Sequence, residues 1–288
     1  MGAPVAGAAC VKVGDDSDAF LYVIGGTTDD NSYSGLQIYS FNSKSWQTIP
    51  TQAPVLQGRT NHSAAYLQDS QSIISYAGSQ PDAPSFLSSQ TFLISTIPPY
   101  TIQSYISYAP TANLPILTPF NTSHAVMVGG SDLNDQVWTF EPTAGFQSTG
   151  LYLNAPLPPA ARGTVIDGSD GSKVLEVYDT SVSPNEVTQL VLVGEYGQPA
   201  YTGETVGTPP SRKRKRRRDL TLGNWPTYNG TNAPTTTRTD SSIAQGFRVS
   251  VISGGNDNDP VSIFNQNENS WIDAGDFFDS KQVKQHPL

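Results

Sequence analysis

The chain has 288 residues, a net charge of −9 and only 14% charged residues, and none of its apolar runs approaches the ~18 residues of a membrane helix. Seven of the 16 cations are consecutive, Arg212 to Arg218, so nine cations face 25 acids elsewhere, and a body that acidic repels nucleic acid and anionic membrane. The single Cys10 excludes an internal disulfide, and Gly, Pro, Ser, Thr and Asn in place of charge suit an all-β chain with many turns.

The opening MGAPVAGAAC has neither the charged nor the apolar region of a secretory signal, and Ala6 stands where N-myristoylation needs Ser or Thr. Membrane attachment is therefore expected only through a segment outside this sequence. AFLYVIGG (19–26) follows, an apolar run that ends in two glycines. A polar turn, TTDDNSYSG, leads into LQIYSFNSKSWQTI, where Tyr39 and Trp46 are seven residues apart. The pattern reads strand, turn, strand, turn, strand. GRTNHSAAYL (58–67) opens the next unit, followed by SIISYAGS (72–79) and SSQTFLIS. HAVMVGG (124–130), SDLNDQ and VWTFEPTAGF repeat the pattern, with Phe140 and Phe146 six apart. KVLEVYDT (173–180) and VTQLVLV form a looser copy without the glycine pair. FRVSVISGG (247–255), NDNDP and VSIFNQNENSWIDAG close the series, with Phe264 and Trp271 again seven apart.

The strand ends fall near 25, 78, 129, 178 and 254, a step of about 50 that widens only in the last interval. The extra length is expected at 204–240, a Pro-, Thr- and charge-rich stretch that reads as a flexible insertion. Small sheets repeated at this period bury their faces by stacking around an axis. On that reading each glycine pair ends an inner strand beside the axis, where φ > 0 and close approach are needed. Trp46 and Trp271 are expected to plug the gaps between neighbouring blades.

These segments resemble kelch repeats, the propeller family that includes the central domain of galactose oxidase. The matching residues are Gly25, Gly26, Tyr39 and Trp46; Gly129, Gly130 and Phe140; Gly254, Gly255, Phe264 and Trp271; and the Arg-x-x-His-Ser of GRTNHSAAYL. The resemblance implies an all-β, kelch-type β-propeller of five to six blades, mostly four-stranded antiparallel sheets, as one domain over 1–288 with an insertion at 204–240. SSQTFLIST, SKVLEVYDTSVSPN, APTTTRTDSSIAQG and ISGGNDNDPVSIFNQNENSW are similar to the ectodomains of fungal kelch-containing proteins. That likeness implies a flanking signal peptide, one membrane helix and a cytoplasmic tail, and it implies no established reaction.

Copper-radical oxidases of the galactose oxidase kind hold their metal with two His and two Tyr, one of them cross-linked to Cys. Here His62 and His124 open strands in separate repeats without ligand spacing, and His286 is near the C-terminus. Each strand-start His is expected to bond within its own blade. DGSDGSK (167–173) resembles an Asp box but lacks the Thr/Trp pair after Gly171, and reads as a hairpin turn. Arg59, Arg162, Arg238 and Arg248 are too scattered for a carboxylate clamp. The acids Asp15, Asp16 and Asp18, Asp29 and Asp30, and Asp257 and Asp259 lie between expected strands, where Asp and Asn form turns, and lack a calcium loop's spacing. No phosphate loop or Ser-His-Asp set is readable. No catalytic residue, cofactor or metal is expected.

Three sequons, at Asn61, Asn121 and Asn229, are candidate glycosylation sites, with Asn229 in the insertion. The basic run lacks the aromatics that stack nucleic-acid bases. It fits processing after Arg217 and Arg218 in an exposed loop, or nuclear import. The expected function is that of a non-catalytic extracellular or cell-surface scaffold binding a protein or glycan. A copper-radical or glycan-active enzyme and an intracellular or nuclear adaptor are the alternatives.

Overall fold

A computed structural model of the chain describes residues 1–15, 18–30, 32–51, 54–82, 87–159, 161–207 and 219–282. Among these residues the chain is all-β. Five antiparallel sheets of the propeller-blade kind, each of three or four strands, follow one another along the sequence, and the single α-helix, α1 (Ala274–Gln282), comes last. The chain divides into two compact units, Met1–Pro159 and Ala160–Leu288.

The first unit holds three blades. Blade 1 is β1 (Ala9–Val13), β2 (Phe20–Ile24), β3 (Leu36–Ser40) and β4 (Ser45–Thr48). Blade 2 is β5 (Thr60–Leu67), β6 (Ser72–Ser79), β7 (Thr91–Ser95) and β8 (Ile102–Tyr105). Blade 3 is β9 (Ile116–Pro119), β10 (Ala125–Val128), β11 (Gln136–Glu141) and β12 (Gly145–Tyr152). Every blade is a meander in chain order. The second unit holds a three-stranded blade 4, β13 (Arg162–Asp167), β14 (Lys173–Asp179) and β15 (Glu186–Val193), and a four-stranded blade 5, β16 (Ser242–Gly246), β17 (Val249–Ser253), β18 (Val261–Asn265) and β19 (Ser270–Ile272).

Strand β6 shows why the blades stack. Seven of its eight residues are buried. Ile73 joins Val11, Ile24 and Ile38 of blade 1, while its neighbours Ile74 and Tyr76 join Met127, Phe140 and Phe146 of blade 3. Each such side chain contributes about 1.5–3 kcal/mol when fully buried, against ~1 kcal/mol for a typical hydrogen bond, so the apolar faces dominate the stacking.

The aromatic pairs fall opposite each other in register: Tyr39 with Trp46, Phe140 with Phe146, and Phe264 with Trp271. Phe146 packs on Tyr76 of blade 2, with ring centroids 4.6 Å apart, and Phe264 packs on Tyr178 of blade 4 at 5.4 Å. Trp271 is only 2% exposed and fills its gap as expected. Trp46 differs, at 37% exposed. Gly2 lies against the indole, so close that a Cβ there would come within 2.6 Å of the ring. Ala3 holds this segment by exchanging two 2.9 Å hydrogen bonds with the Gln37 side chain. In blade 2 the matching pair is aliphatic, Ile94 opposite Ile102, which is why that repeat is faint.

The glycine pairs end the second strand of blades 1, 3 and 5. In the first unit the first strands, β1, β5 and β9, neighbour one another, so the glycines are not on the innermost strand. Their left-handed backbone is nonetheless required. A Cβ on Gly25 (φ +69) would come within 2.7 Å of the His62 ring and closer still to the Arg59 carbonyl oxygen. In blade 2 the first position is Ala77, which keeps φ +70 without being glycine.

Two arginines secure these corners. Arg59 precedes β5 and donates to the carbonyls of Val55 (2.8 Å), Ala77 (3.1 Å) and Gly78 (2.9 Å), with Phe92 beneath it at 4.8 Å. Arg238 precedes β16 and donates to Gly254 O (3.1 Å) and Ser262 Oγ (2.7 Å), and pairs with Asp259 (3.0 Å). Burial lowers the Arg59 guanidinium to about 10, still cationic at neutral pH.

Residues 219–240, expected from composition to be flexible, are packed despite having little regular structure. Leu220 and Trp225 are buried with Ile166 and Val174, and Tyr228 and Ala233 pack on the Tyr178, Ile252, Phe264 and Trp271 cluster. Residues 204–206 run beside β15 in place of a fourth strand: Val191 N–H donates to Glu204 O (2.9 Å) and Val206 N–H to Gln189 O (3.2 Å).

Replacing Gly25 by Ala combines left-handed strain with a backbone clash and is expected to cost about 2–5 kcal/mol. Gly145→Ala, at φ +72 with open space around it, should cost only about 1–2 kcal/mol. Urea unfolding of both variants checks the difference; equal losses would show that the close approach at Gly25 has no energetic weight.

Candidate functional site

The sequence-predicted positions are dispersed. Asn61 starts β5, exposed, with φ +60 at a break in the β5–β6 register, and its carbonyl accepts the Leu114 N–H. Asn121 follows β9, at the other end of its strand, and its Oδ1 accepts Ser123 N–H (2.9 Å) and His124 N–H (2.7 Å). Asn229 is exposed, and its Oδ1 accepts the Thr231 N–H (3.0 Å) and hydroxyl (2.6 Å). The processing candidates Arg217 and Arg218 lie outside the described residues, as do His286 and Asp16.

Among the described residues, the donor set of a copper-radical oxidase is not assembled. His62 is buried, with Nε2 3.1 Å from Ile24 O in blade 1; its bond crosses to a neighbouring blade, where one within its own blade was expected. Burial and the nearby Arg59 charge lower its imidazole to about 4, so it stays neutral and donates Nε2–H to that carbonyl. His124 does stay within its blade, beside Ser123 and 3.2 Å from Glu141 Oε2. Asp30 accepts from Ser32, and Asp259 pairs with Arg238. DGSDGSK makes the β13–β14 turn. Among the described residues, no group of three His, Cys, Asp or Glu could hold a metal ion.

What the second unit does build is a groove of about 720 Å³ beyond the end of β15. Its floor starts at Gly194, whose N–H donates to Gln198 O (2.7 Å), folding Glu195–Gly197 into one 3₁₀ turn. Within that turn Tyr196 has left-handed backbone (φ 56, ψ 26), fixed by its N–H donating to Asp170 O (2.7 Å), yet the residue is 81% exposed. A strained turn that leaves its aromatic ring in water is not stabilised by burying that ring.

Tyr201–Glu204 makes a second turn. Glu204 N–H donates to Tyr201 O (3.0 Å), Glu204 Oε2 accepts the Tyr201 N–H (2.9 Å), and Gly203 (φ +65) takes the third position, the type II place for glycine. Tyr201 is 79% exposed. Leu222 and Gly223 form the facing wall, part of a capped 3₁₀ turn. Asp170 ties the walls together: its carbonyl holds Tyr196, its Oδ2 accepts Leu222 N–H (2.9 Å), and its Oδ1 accepts from Ser172. Burial alone would raise the Asp170 carboxyl, but the hydrogen bonds from Ser172 and Leu222 outweigh it and hold it below the usual range.

The sequence reading passed over this groove. Its trace is GEYGQPAYTGE (194–204), two Tyr–Glu turns set by glycine and proline with no strand pattern around them.

A second polar cluster is buried between blades 4 and 5. Glu176 of β14 is fully buried; it accepts the Tyr178 hydroxyl (2.5 Å), Gln266 Nε2 (3.0 Å) and Gln189 Nε2 (3.0 Å). Gln266 also reaches Thr164 and Ser250. Burial raises the Glu176 carboxyl, opposed by those hydrogen bonds and by the field of Arg248. It has no ligand-accessible face and holds the blades together.

No model of a known protein family matches the chain, and no curated protein matches its sequence.

A carboxyl raised on folding binds its proton more tightly in the native state, so its contribution is present below the unfolded value of about 4.3 and is lost as pH rises through the higher folded value. Glu176→Gln is expected to flatten this part of the pH profile. Urea midpoints of the wild type and variant between pH 4 and 8 measure it; parallel profiles would mean Glu176 does not titrate differently in the fold.

Proposed function

We propose that the chain is a kelch-type propeller from an extracellular or cell-surface protein, acting as a non-catalytic scaffold that binds a protein or glycan in the groove lined by residues of 194–207 with Leu222 and Gly223. The repeat step of about 50 residues, the left-handed glycine corners and the cross-strand aromatic pairs support the kelch assignment. The exposed sequon asparagines are compatible with passage through the secretory route.

The observation that carries the binding reading is the pair of exposed tyrosines on hydrogen-bonded turns. A rigid aromatic held in water loses little entropy when a ligand covers it, and tyrosine is enriched where binding energy concentrates. The loops at strand ends are also where scaffolds of this kind place recognition residues.

The secreted chain should bind the surface of host cells, and the Tyr196→Ala/Tyr201→Ala variant should bind at least tenfold more weakly in flow cytometry. A control at Ile106 and Tyr108, exposed in the first unit, should bind like wild type. Undiminished binding by the groove variant would remove the groove from the reading.

Peptide mapping of the protein from its native host, with and without enzymatic deglycosylation, should show Asn229 carrying glycan and the chain cut after Arg218. An unmodified Asn229 together with an intact 211–224 peptide would count against a secretory route.

A further inference from the structure

Asn229–Gly230 is the one asparagine–glycine step in the chain, and glycine, without a Cβ, offers the preceding side chain an unhindered backbone nitrogen. The step lies on an exposed turn tied down at both ends. Asn229 N–H donates to Asn269 O (2.9 Å), and Gly230 O accepts the Ala233 N–H (3.0 Å). Asn229 Oδ1 accepts both the N–H (3.0 Å) and the hydroxyl (2.6 Å) of Thr231. This turn folds the side-chain amide back over the following peptide, and donors on Oδ1 stabilise negative charge that develops there when Cγ is attacked. Among the described residues, neither Gly230 N–H nor Asn229 Nδ2 has a hydrogen-bond partner.

The comparable steps are guarded. In Asp167–Gly168, Gly168 N–H donates to Ser172 O (2.8 Å), and Lys173 pairs with the Asp167 carboxylate. In Asp170–Gly171, Gly171 N–H donates to Gly168 O (3.2 Å), and the carboxylate accepts from Ser172 and Leu222. An ionised carboxylate is also a poor electrophile. Asn269, before Ser270, is fully buried, and its Nδ2 donates to Gln189 Oε1 (3.0 Å) and Pro226 O (2.7 Å).

We propose that Asn229 is a self-modification site: in a chain without a glycan there, it deamidates through a cyclic imide. Gly230 N gives its proton to solvent base and attacks Asn229 Cγ. The new N–Cγ bond closes the ring, the Cγ–Nδ2 bond breaks, and Nδ2 takes a proton from solvent and leaves as ammonia. One water molecule then opens the imide at either carbonyl, giving aspartate or isoaspartate, and nothing is oxidised or reduced. The isoaspartate form routes the main chain through Cγ and lengthens it by one carbon. The lengthened segment is a strap on blades 4 and 5. Its Tyr228 hydroxyl accepts Trp271 Nε1–H (3.0 Å) and donates to Asn185 O (3.2 Å), and Tyr228 and Ala233 pack on Tyr178, Ile252 and Phe264. Modification therefore loosens a packed strap and adds a negative charge. An N-linked glycan would occupy the same Nδ2, so the two fates exclude each other; this last point alone rests on the secretory reading given above.

The full chain is made in a bacterial host without N-glycosylation, incubated at mildly alkaline pH, and sampled by peptide mapping that separates aspartate from isoaspartate. Asn229 is expected to convert to both products at least tenfold faster than the exposed Asn42, which precedes Ser43, at a rate that rises with pH. Asp167 and Asp170 should isomerise in urea but not in the folded chain, and aged protein should unfold at lower urea than fresh protein. Gly230→Ala should slow conversion at least tenfold. Thr231→Val, which keeps the backbone donor and removes the hydroxyl, should slow it severalfold. The second variant keeps the test open should the Cβ of Gly230→Ala, 3.3 Å from the Tyr228 ring, disturb the turn. Conversion at Asn229 no faster than at Asn42 overturns the site. Aspartate as the sole product overturns the ring route, and a rate unmoved by Thr231→Val overturns the part assigned to the turn. Protein from a secretory host separates the last point: conversion at Asn229 in its glycan-bearing fraction overturns the exclusion, whereas a missing glycan counts against the secretory reading and leaves the bacterial result standing.

Discussion

A small sheet with two apolar faces cannot remain alone in water. β6 makes the point: neighbouring residues of one strand, Ile73 and Ile74, belong to two different cores, one shared with blade 1 and one with blade 3. Once a strand is built this way, it must have a sheet on each side. The cross-strand pair on the outer half of each blade then has a fixed task, which is to fill the space towards the preceding sheet. Phe140 with Phe146 and Phe264 with Trp271 do so. Trp46 is the informative exception: it packs against the Gly2–Ala3 segment and stays partly exposed.

Stacking brings backbones close, and the corners bear that constraint. At Gly25 the space a side chain would need is occupied by the backbone and imidazole of the next blade. The arginine before a blade's first strand answers the related problem of carbonyls left unpaired where the second strand turns away. Arg59 and Arg238 do this at equivalent positions, the carbonyls of Ala77 and Gly254, in different blades. A buried cation costs desolvation, and several carbonyl acceptors, with an aromatic face or an acid, offset it. These arginines are structural, which accounts for why they form no carboxylate clamp.

Much of this was legible because the repeats carry their own markers. The glycine-terminated strands, the seven-residue aromatic spacing and the turn composition located the second, third and fourth strands of blades 1, 3 and 5. The faint copies were faint for physical reasons. Ala77 adopts the glycine conformation without being glycine, and Ile94 with Ile102 fills an aromatic position with aliphatic bulk. His62 was misplaced by one blade because a local pattern cannot say which neighbour a strand-start ring will touch. The packed 219–240 segment was hidden by composition: Trp225 and Leu220 are anchors in a stretch whose Thr, Pro and Asn content resembles a loose loop.

The groove escaped notice for a related reason. It arises where the repeat departs from its own rule, on the blade with three strands. The fourth position is filled by 204–206 with only a few ladder bonds, and the chain that reaches it is spent on two tight turns instead of a strand. A regular strand places alternate side chains on faces that its neighbours cover. A pair of turns has no such obligation, so Tyr196 and Tyr201 can stand in water while their backbones stay fixed by Asp170 and Glu204. The regular blades provide rigidity, and the irregular one has freedom to present chemistry. In a fold defined by repetition, the residues that answer to no repeat are therefore the ones to examine for binding.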